Sequence, residues 1–167
     1  ILALCAAFVS WIAAVALGVY SAIYQNSRFD KMISFFSYTT LSVPSFFLAL
    51  LGIFIAAKTG WFPTGGAVSY NYSALGTWER LLDRIHHLIL PVFVLGFIGI
   101  GSLIRQMRSN FIEVMRQPYP TTARAKGLPE QLVVWKHIFP NAINPLITLL
   151  GFEVASLLSG AALTEIV

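Results

Sequence analysis

Few residues in this chain are of a kind that does chemistry, and their spacing narrows the choices further. Seven acidic residues, three histidines and one cysteine are spread over 167 positions. They form no paired-carboxylate, Ser/His/Asp or metal-ligand constellation. His86 and His87 raise metal binding or pH sensing, but adjacent residues on a helix point to different sides, so the pair reads as interfacial. Cys5 stands alone in an apolar run and reads as a small buried hydrophobe, since one cysteine builds neither a disulfide nor a thiolate site within the chain. No GxxxxGK[ST] phosphate loop occurs, so the chain is not expected to hydrolyse ATP itself. The Gly96-x-x-Gly99-x-Gly101 run follows no strand and is not a dinucleotide fingerprint. No catalytic residue, cofactor or metal is assigned.

Two features remain. Glu153 stands inside an apolar run, where a carboxylate is costly and has to face protein or water. It is either a pathway-lining residue or a structural hydrogen-bond partner for a neighbouring helix, and the sequence leaves both open. Glu165, near the end of the same run, reads as a turn or interface residue. The second feature is the basic segment 105–140, RQMRSNFIEVMRQPYPTTARAKGLPEQLVVWKHIFP. Residues 110–115 are expected to continue a helix past the membrane surface, and Pro118 and Pro120 to break it. Thr121 or Thr122 then caps a short helix over 123–126, and Gly127 supplies the left-handed residue that ends it. A helix resumes over 128–139. Small residues let a partner groove close over the short helix, and Arg124 and Lys126 offer charges for partner carboxylates. The alternative is an ordinary basic loop that only orients the chain in the membrane.

The elements that would carry this segment follow from composition. The chain is 57% hydrophobic and 11% charged, with a mean hydropathy of +0.75. A soluble domain has about 25% charged residues, so this chain cannot cover itself with polar groups. It reads as an all-α integral membrane protein, a single transmembrane domain over 1–167. Spans are expected at about 1–24, 32–57, 87–104 and 138–163, each long enough for a hydrocarbon core of about 30 Å. Backbone groups in lipid must be satisfied internally, which makes these runs helices, and none alternates as a barrel strand does. Pro44 and Pro91 are expected to kink the second and third spans. Gly96, Gly99, Gly101, Gly151, Ser156 and Gly160 are expected to let helices approach closely.

The net charge of +4 does not point to nucleic acid. Eight of the eleven Lys/Arg residues fall in the connections 25–31 and 105–137, and three in 58–86. The positive-inside tendency therefore puts 25–31 and 105–137 in the cytoplasm and 58–86 outside. Trp61 and Phe62 suit the outer interface, with 67–77 as loop. The chain opens on Ile1 and stops at Val167 after an apolar segment, and both ends are expected to be cut from a longer chain.

The basic segment resembles the EAA loop of ABC importer permeases, in which a Glu-Ala-Ala-like triplet precedes a glycine and then an apolar-x-apolar-Pro ending. Thr121-Thr122-Ala123 occupies the triplet, Gly127 the glycine, and His137-Ile138-Phe139-Pro140 the ending. The acidic first residue is absent, and His137 replaces the usual aliphatic one. Thr122-Ala123-Arg124-Ala125-Lys126-Gly127-Leu128 is the form typical of the dipeptide/oligopeptide branch. Residues 60–66 (GWFPTGG), 90–96, 105–114 and 157–165 are similar to the same branch, so the resemblance covers essentially the whole chain.

The resemblance implies a polytopic helical bundle of the type I importer permease kind in a bacterial cytoplasmic (inner) membrane. It implies that Tyr119, Thr121, Thr122, Ala123, Arg124, Ala125, Lys126 and Gly127 form a coupling helix that docks on a cytoplasmic ATP-binding subunit. Pro118 and Pro120 depart from the branch and leave the helix start unspecified. Further implied partners are a second permease subunit, identical or homologous, an extracytoplasmic substrate-binding protein and the lipid bilayer. The implied cargo is dipeptides, oligopeptides or a related small solute. The residues also allow two rival functions. One is an ion-gradient-driven secondary transporter, for which Glu153 is the only coupling candidate well inside a span. The other is a membrane scaffold that recruits a soluble partner through the basic loop.

Overall fold

The computed structural model describes residues 2–166, with the side chains of all of them except Ala3, Ile98 and residues 157–166. Gly160 and Glu165 are therefore outside the residues whose side chains are described. Apolar runs have become helices throughout, in the order α1 (Leu2–Ile23), α2 (Arg28–Ser42), α3 (Ser45–Thr59), a 3-10 turn (Tyr72–Ala74), α4 (Thr77–Met115), α5 (Pro118–Ala125), α6 (Glu130–Leu132), a π-helical turn (Val133–Ile138) and α7 (Phe139–Ile166). No strand occurs among the described residues.

By length and composition two helices, Leu4–Ile23 and Glu130–Ser156, are long and apolar enough to cross a membrane, and up to four cross if each bent pair is one span. The expected second span is one of those pairs. It is two helices meeting at 97°, broken between Ser42 and Ser45. Pro44 supplies the reason: its ring drives Val43 out of the helical region, and its own backbone is extended at φ −61, ψ 138. The effect is far larger than a kink. Pro91, by contrast, sits inside α4, a helix of 39 residues that starts ten residues before the expected third span.

The helices divide between two compact units. The first comprises residues 1–12 and 38–101. Here α3 lies on α4 where Gly52 faces Leu90 and Val94. Gly96 sits so close to Ser10 that a Cβ would fall 2.7 Å from the hydroxyl oxygen, whereas a Cβ at Gly99 would meet nothing within 4 Å. The polar segment before α4 is tied to it by side chains. Asp83 accepts the Ser69 N–H (2.9 Å), Arg80 donates to the Tyr72 and Ser73 carbonyls, and His86 Nε2 meets the Trp61 carbonyl at 2.8 Å. His87 turns instead to Asp83, its Nδ1 lying 2.9 Å from that residue's carbonyl oxygen. The two histidines thus have separate partners, as adjacent helical positions require.

The second unit comprises residues 13–37 and 102–167. Its core is built from Ala14, Ile104, Met107, Phe111, Ile138 and Leu146, all essentially inaccessible to solvent. The approach of α1 to α4 depends on Gly18, where a Cβ would lie 2.7 Å from the Met107 Cβ and 3.0 Å from the Ile104 carbonyl oxygen. Gly151, expected to serve a similar contact, faces nothing within 4 Å.

Candidate functional site

The segment after α4 is a helix bounded by two different devices. α4 ends at Met115, and the Arg116 and Gln117 amides turn back to the Glu113 and Val114 carbonyls. Pro118 then opens α5 at its first position, where the missing N–H has no helical partner to lose and the fixed φ is already helical. Gln117 precedes it in extended conformation and makes no side-chain cap bond. Neither Thr121 nor Thr122 is a cap, contrary to expectation. Both lie inside the helix, and the Thr122 hydroxyl donates back to the Pro118 carbonyl at 3.0 Å. Pro118 therefore starts this helix directly after the break that ends α4, whereas Pro120 lies inside α5 and breaks nothing. α5 consequently holds Tyr119, Thr121, Thr122, Ala123, Arg124 and Ala125 in one rigid element.

Its far end closes as the sequence predicts. Gly127 is left-handed at φ +79. The Leu128 amide bonds to the Ala123 carbonyl (3.4 Å) and the Gly127 amide to the Arg124 carbonyl (2.9 Å). These are the two bonds of a Schellman termination, which satisfies carbonyls that a helix end otherwise leaves open. A Cβ at Gly127 meets nothing within 4 Å, so backbone conformation alone selects glycine here.

α5 packs on the π-helical turn, where Val133, Val134 and Ile138 are buried. Pro120 and Ala123 face inward. Tyr119, Thr121, Thr122, Ala125, Lys126 and Gly127 are exposed, and Arg124 is half-buried. Apart from Tyr119 and Lys126, the outward face is therefore made of small, uncharged residues. Arg124 departs from expectation: its guanidinium grips Glu130 through Nε (2.9 Å) and Nη2 (2.7 Å). That contact raises the arginine's proton affinity above its ordinary value. Its charge serves the loop's own closure, and Lys126 remains the exposed cation on this face.

Behind this segment lies a cluster that the sequence reading passed over. Arg108, on α4, donates to both Asp30 carboxylate oxygens, from Nε and Nη2, each at 2.8 Å. The same carboxylate accepts the Ser21 hydroxyl and the Asn26 amide (2.8 Å). Arg108 Nε also reaches the Ser21 oxygen at 3.2 Å. Asp30 is 4% exposed, so this is a buried charge with its acceptor sites filled from α1, α4 and the α1–α2 turn. The local half of it was legible. Ser27 accepts the Asp30 amide at 3.1 Å in a Ser-x-x-acid capping pattern, and Asn26 takes the left-handed conformation (φ +66) that asparagine tolerates. The partner on α4 was not, because 78 residues separate it and nothing periodic links the two.

Glu153 lies on α7 at an exposed position. No group of three or more His, Cys, Asp or Glu that could hold a metal ion occurs among the described residues.

An all-helical chain with apolar spans and a short helix closed off by Gly127 between two long ones defines a polytopic membrane component with a built loop. The sequence profile of the family described as "Binding-protein-dependent transport system inner membrane component" matches residues 14–167, and the chain belongs to that family. It is 41% identical over 152 residues to the oligopeptide transport system permease protein AppB of Bacillus subtilis, covering 90% of this chain and 46% of that protein. It is 36% identical over 165 residues to the dipeptide transport system permease protein DppB of Alkalihalophilus pseudofirmus, covering 90% and 50%. With the di/tripeptide transport system permease protein DppB of Pseudomonas aeruginosa it shares 37% over 162 residues, covering 89% and 48%. The chain spans about half the length of the curated relatives it matches.

Proposed function

We propose that this chain is the membrane-spanning part of a permease subunit in an ATP-driven importer of dipeptides, oligopeptides or a related small solute. α5 with Lys126 and Gly127 is its docking surface for a separate ATP-binding subunit. The observation that carries this reading is the shape of α5. A helix of eight residues is started by Pro118, stopped by Gly127 and seated on the π-helical turn, with small neutral residues turned outward between Tyr119 and Lys126. Such a helix is held at both ends and can pass a displacement to α4 and α7. A loop that served only orientation would need its charges and not this construction. The same reading places 25–31 and 105–137 in the cytoplasm, 58–86 outside, a second permease subunit beside this one and a binding protein on the outer face. The solute class rests on the names of the relatives. Glu153 is the candidate residue for the pathway.

The test is co-purification of the full-length permease with its ATP-binding subunit. Ala123 is a poor target because it is buried, and Gly127 because any side chain is strained there. Tyr119→Asp and Ala125→Asp place charge on the exposed face instead. Both should detach the ATPase while the permease stays in the membrane at native level. Undiminished co-purification of both would remove α5 from the docking role. Labelled dipeptide uptake by the native complex, compared with its Glu153→Gln variant, tests the solute and the pathway residue together. No dipeptide uptake would remove dipeptides from the solute class, and unchanged uptake in the variant would refute the role of Glu153.

A further inference from the structure

The buried cluster around Asp30 has a use that the docking role of α5 does not supply. Arg108 lies seven residues before Met115, the last residue of the helix that feeds α5, a separation of about 10 Å along the helix axis. Any displacement of α5 therefore reaches Arg108 through uninterrupted helix as far as Met115 and one two-residue turn. At Arg108 it meets a contact of a particular kind. Two parallel hydrogen bonds at 2.8 Å fix both the distance and the rotation of α4 relative to Asp30, which an apolar contact would not do. Asp30 is itself held on two sides. Ser27 and Asn26 lock it to the α1–α2 turn, and Ser21 connects it to the last turns of α1. Gly18 brings α1 close enough for this connection, one turn earlier. A buried bidentate pair either holds or is broken, because intermediate separations leave a charge desolvated and unpaired.

We propose that Ser21, Asp30 and Arg108 form a positioning clamp that makes the ends of α1 and α2 move with α4 when α5 is displaced. The proposal rests on the importer reading and assigns these residues the coupling of ATP hydrolysis to solute movement, not docking or binding.

The experiment uses the complete complex, with full-length permease, ATP-binding subunits and binding protein, in proteoliposomes. Three quantities are read: subunit assembly, ATP hydrolysis and dipeptide uptake. Asp30→Asn and Arg108→Gln should assemble and hydrolyse ATP near the native rate, while uptake per ATP falls by about tenfold, the size of an ordinary coupling between sites. Arg108→Lys, which restores charge without the fork, should fall between them and the native protein. If either of the first two fails to assemble, Ser21→Ala decides. It leaves the ion pair in place and should lower uptake per ATP by a smaller factor with assembly intact. An unchanged ratio in every variant that assembles would overturn the clamp. Failure of the native complex to couple hydrolysis to uptake would instead overturn the importer reading, and the clamp with it.

Discussion

Two arginine–carboxylate pairs among the described residues of the second unit have nearly the same geometry and opposite surroundings. Arg108 meets Asp30 at 2.8 and 2.8 Å, and Arg124 meets Glu130 at 2.9 and 2.7 Å. Side-chain exposure is 26% and 4% in the first pair but 34% and 59% in the second. One joins residues 78 apart in sequence, the other residues six apart. Distance alone would rank them as equals. Solvent separates them: water around Glu130 can replace its partner, whereas nothing of the kind is at hand for Asp30. The first pair fixes how helices meet, and the second only trims the closure of a loop.

The comparison is broken most directly at Arg108. Arg108→Gln leaves the Asp30 carboxylate buried with only Ser21 and Asn26 as donors, and should destabilise the purified full-length protein by about 3–5 kcal/mol. Thermal unfolding in detergent measures it, and a loss below about 1 kcal/mol would erase the distinction from an exposed pair. Asp30→Asn should cost less, because the guanidinium it strands is a quarter exposed and keeps some access to water.

The next effect sharpens the comparison by loosening the frame around the buried pair. Gly18→Ala puts a methyl 2.7 Å from the Met107 Cβ, with the Ile104 carbonyl oxygen at 3.0 Å, so one helix has to shift. Overpacking of this kind costs about 1–3 kcal/mol. Because Met107 adjoins Arg108, the shift also strains the ion pair. The double variant Gly18→Ala/Arg108→Gln should therefore lose less stability than the two single losses added together, and strict additivity in the same melting assay would separate the two features.

Gly127 probes the other pair, since it lies in the turn that brings Glu130 to Arg124. Gly127→Ala meets no atom within 4 Å, so its whole cost is the left-handed conformation, about 1–2 kcal/mol. Gly127→Asn should cost less than Gly127→Ala by the same measurement, because asparagine visits that region more readily. Equal losses would mean that something other than backbone conformation selects glycine here.

What could be read in advance, and what could not, divides along the same line as the two pairs. The apolar runs specified helices because lipid leaves the backbone no other way to satisfy its hydrogen bonds, and Gly127 specified a helix end because so few residues accept its φ. Both are local constraints. The errors came from residues whose meaning depends on position within an element. Pro118 looks the same whether it stops a helix or starts one, and only the extended Gln117 before it decides. Pro44 and Pro91 look alike in sequence, yet one separates two helices that meet at 97° and the other lies inside α4, with helix on both sides of it. Arg124 stands six residues from Glu130 in sequence, and only the turn at Gly127 brings the two together. Asp30 stands in the sequence only as the one acid of the short connection 25–31. Its partner came from α4, and tertiary pairings of that kind leave no periodicity to find.

The smallest effect is the one that most specifically tests the role given to the exposed pair. Arg124→Ala should destabilise by no more than about 0–1 kcal/mol, and the difference from the native protein should shrink as salt rises to about 1 M, where charges are screened within about 3 Å. The Arg108→Gln loss should not shrink in step, because the Asp30 carboxylate it strands is shielded from the ions. Co-purification with an ATPase gives the second axis. If Arg124 serves loop closure, its removal leaves the outward face of α5 in place and docking close to native. A loss of docking as deep as that of Ala125→Asp, with stability unchanged, would instead show that Arg124 exchanges Glu130 for a partner carboxylate in the complex. The intramolecular pair would then be the resting form of a contact made between chains.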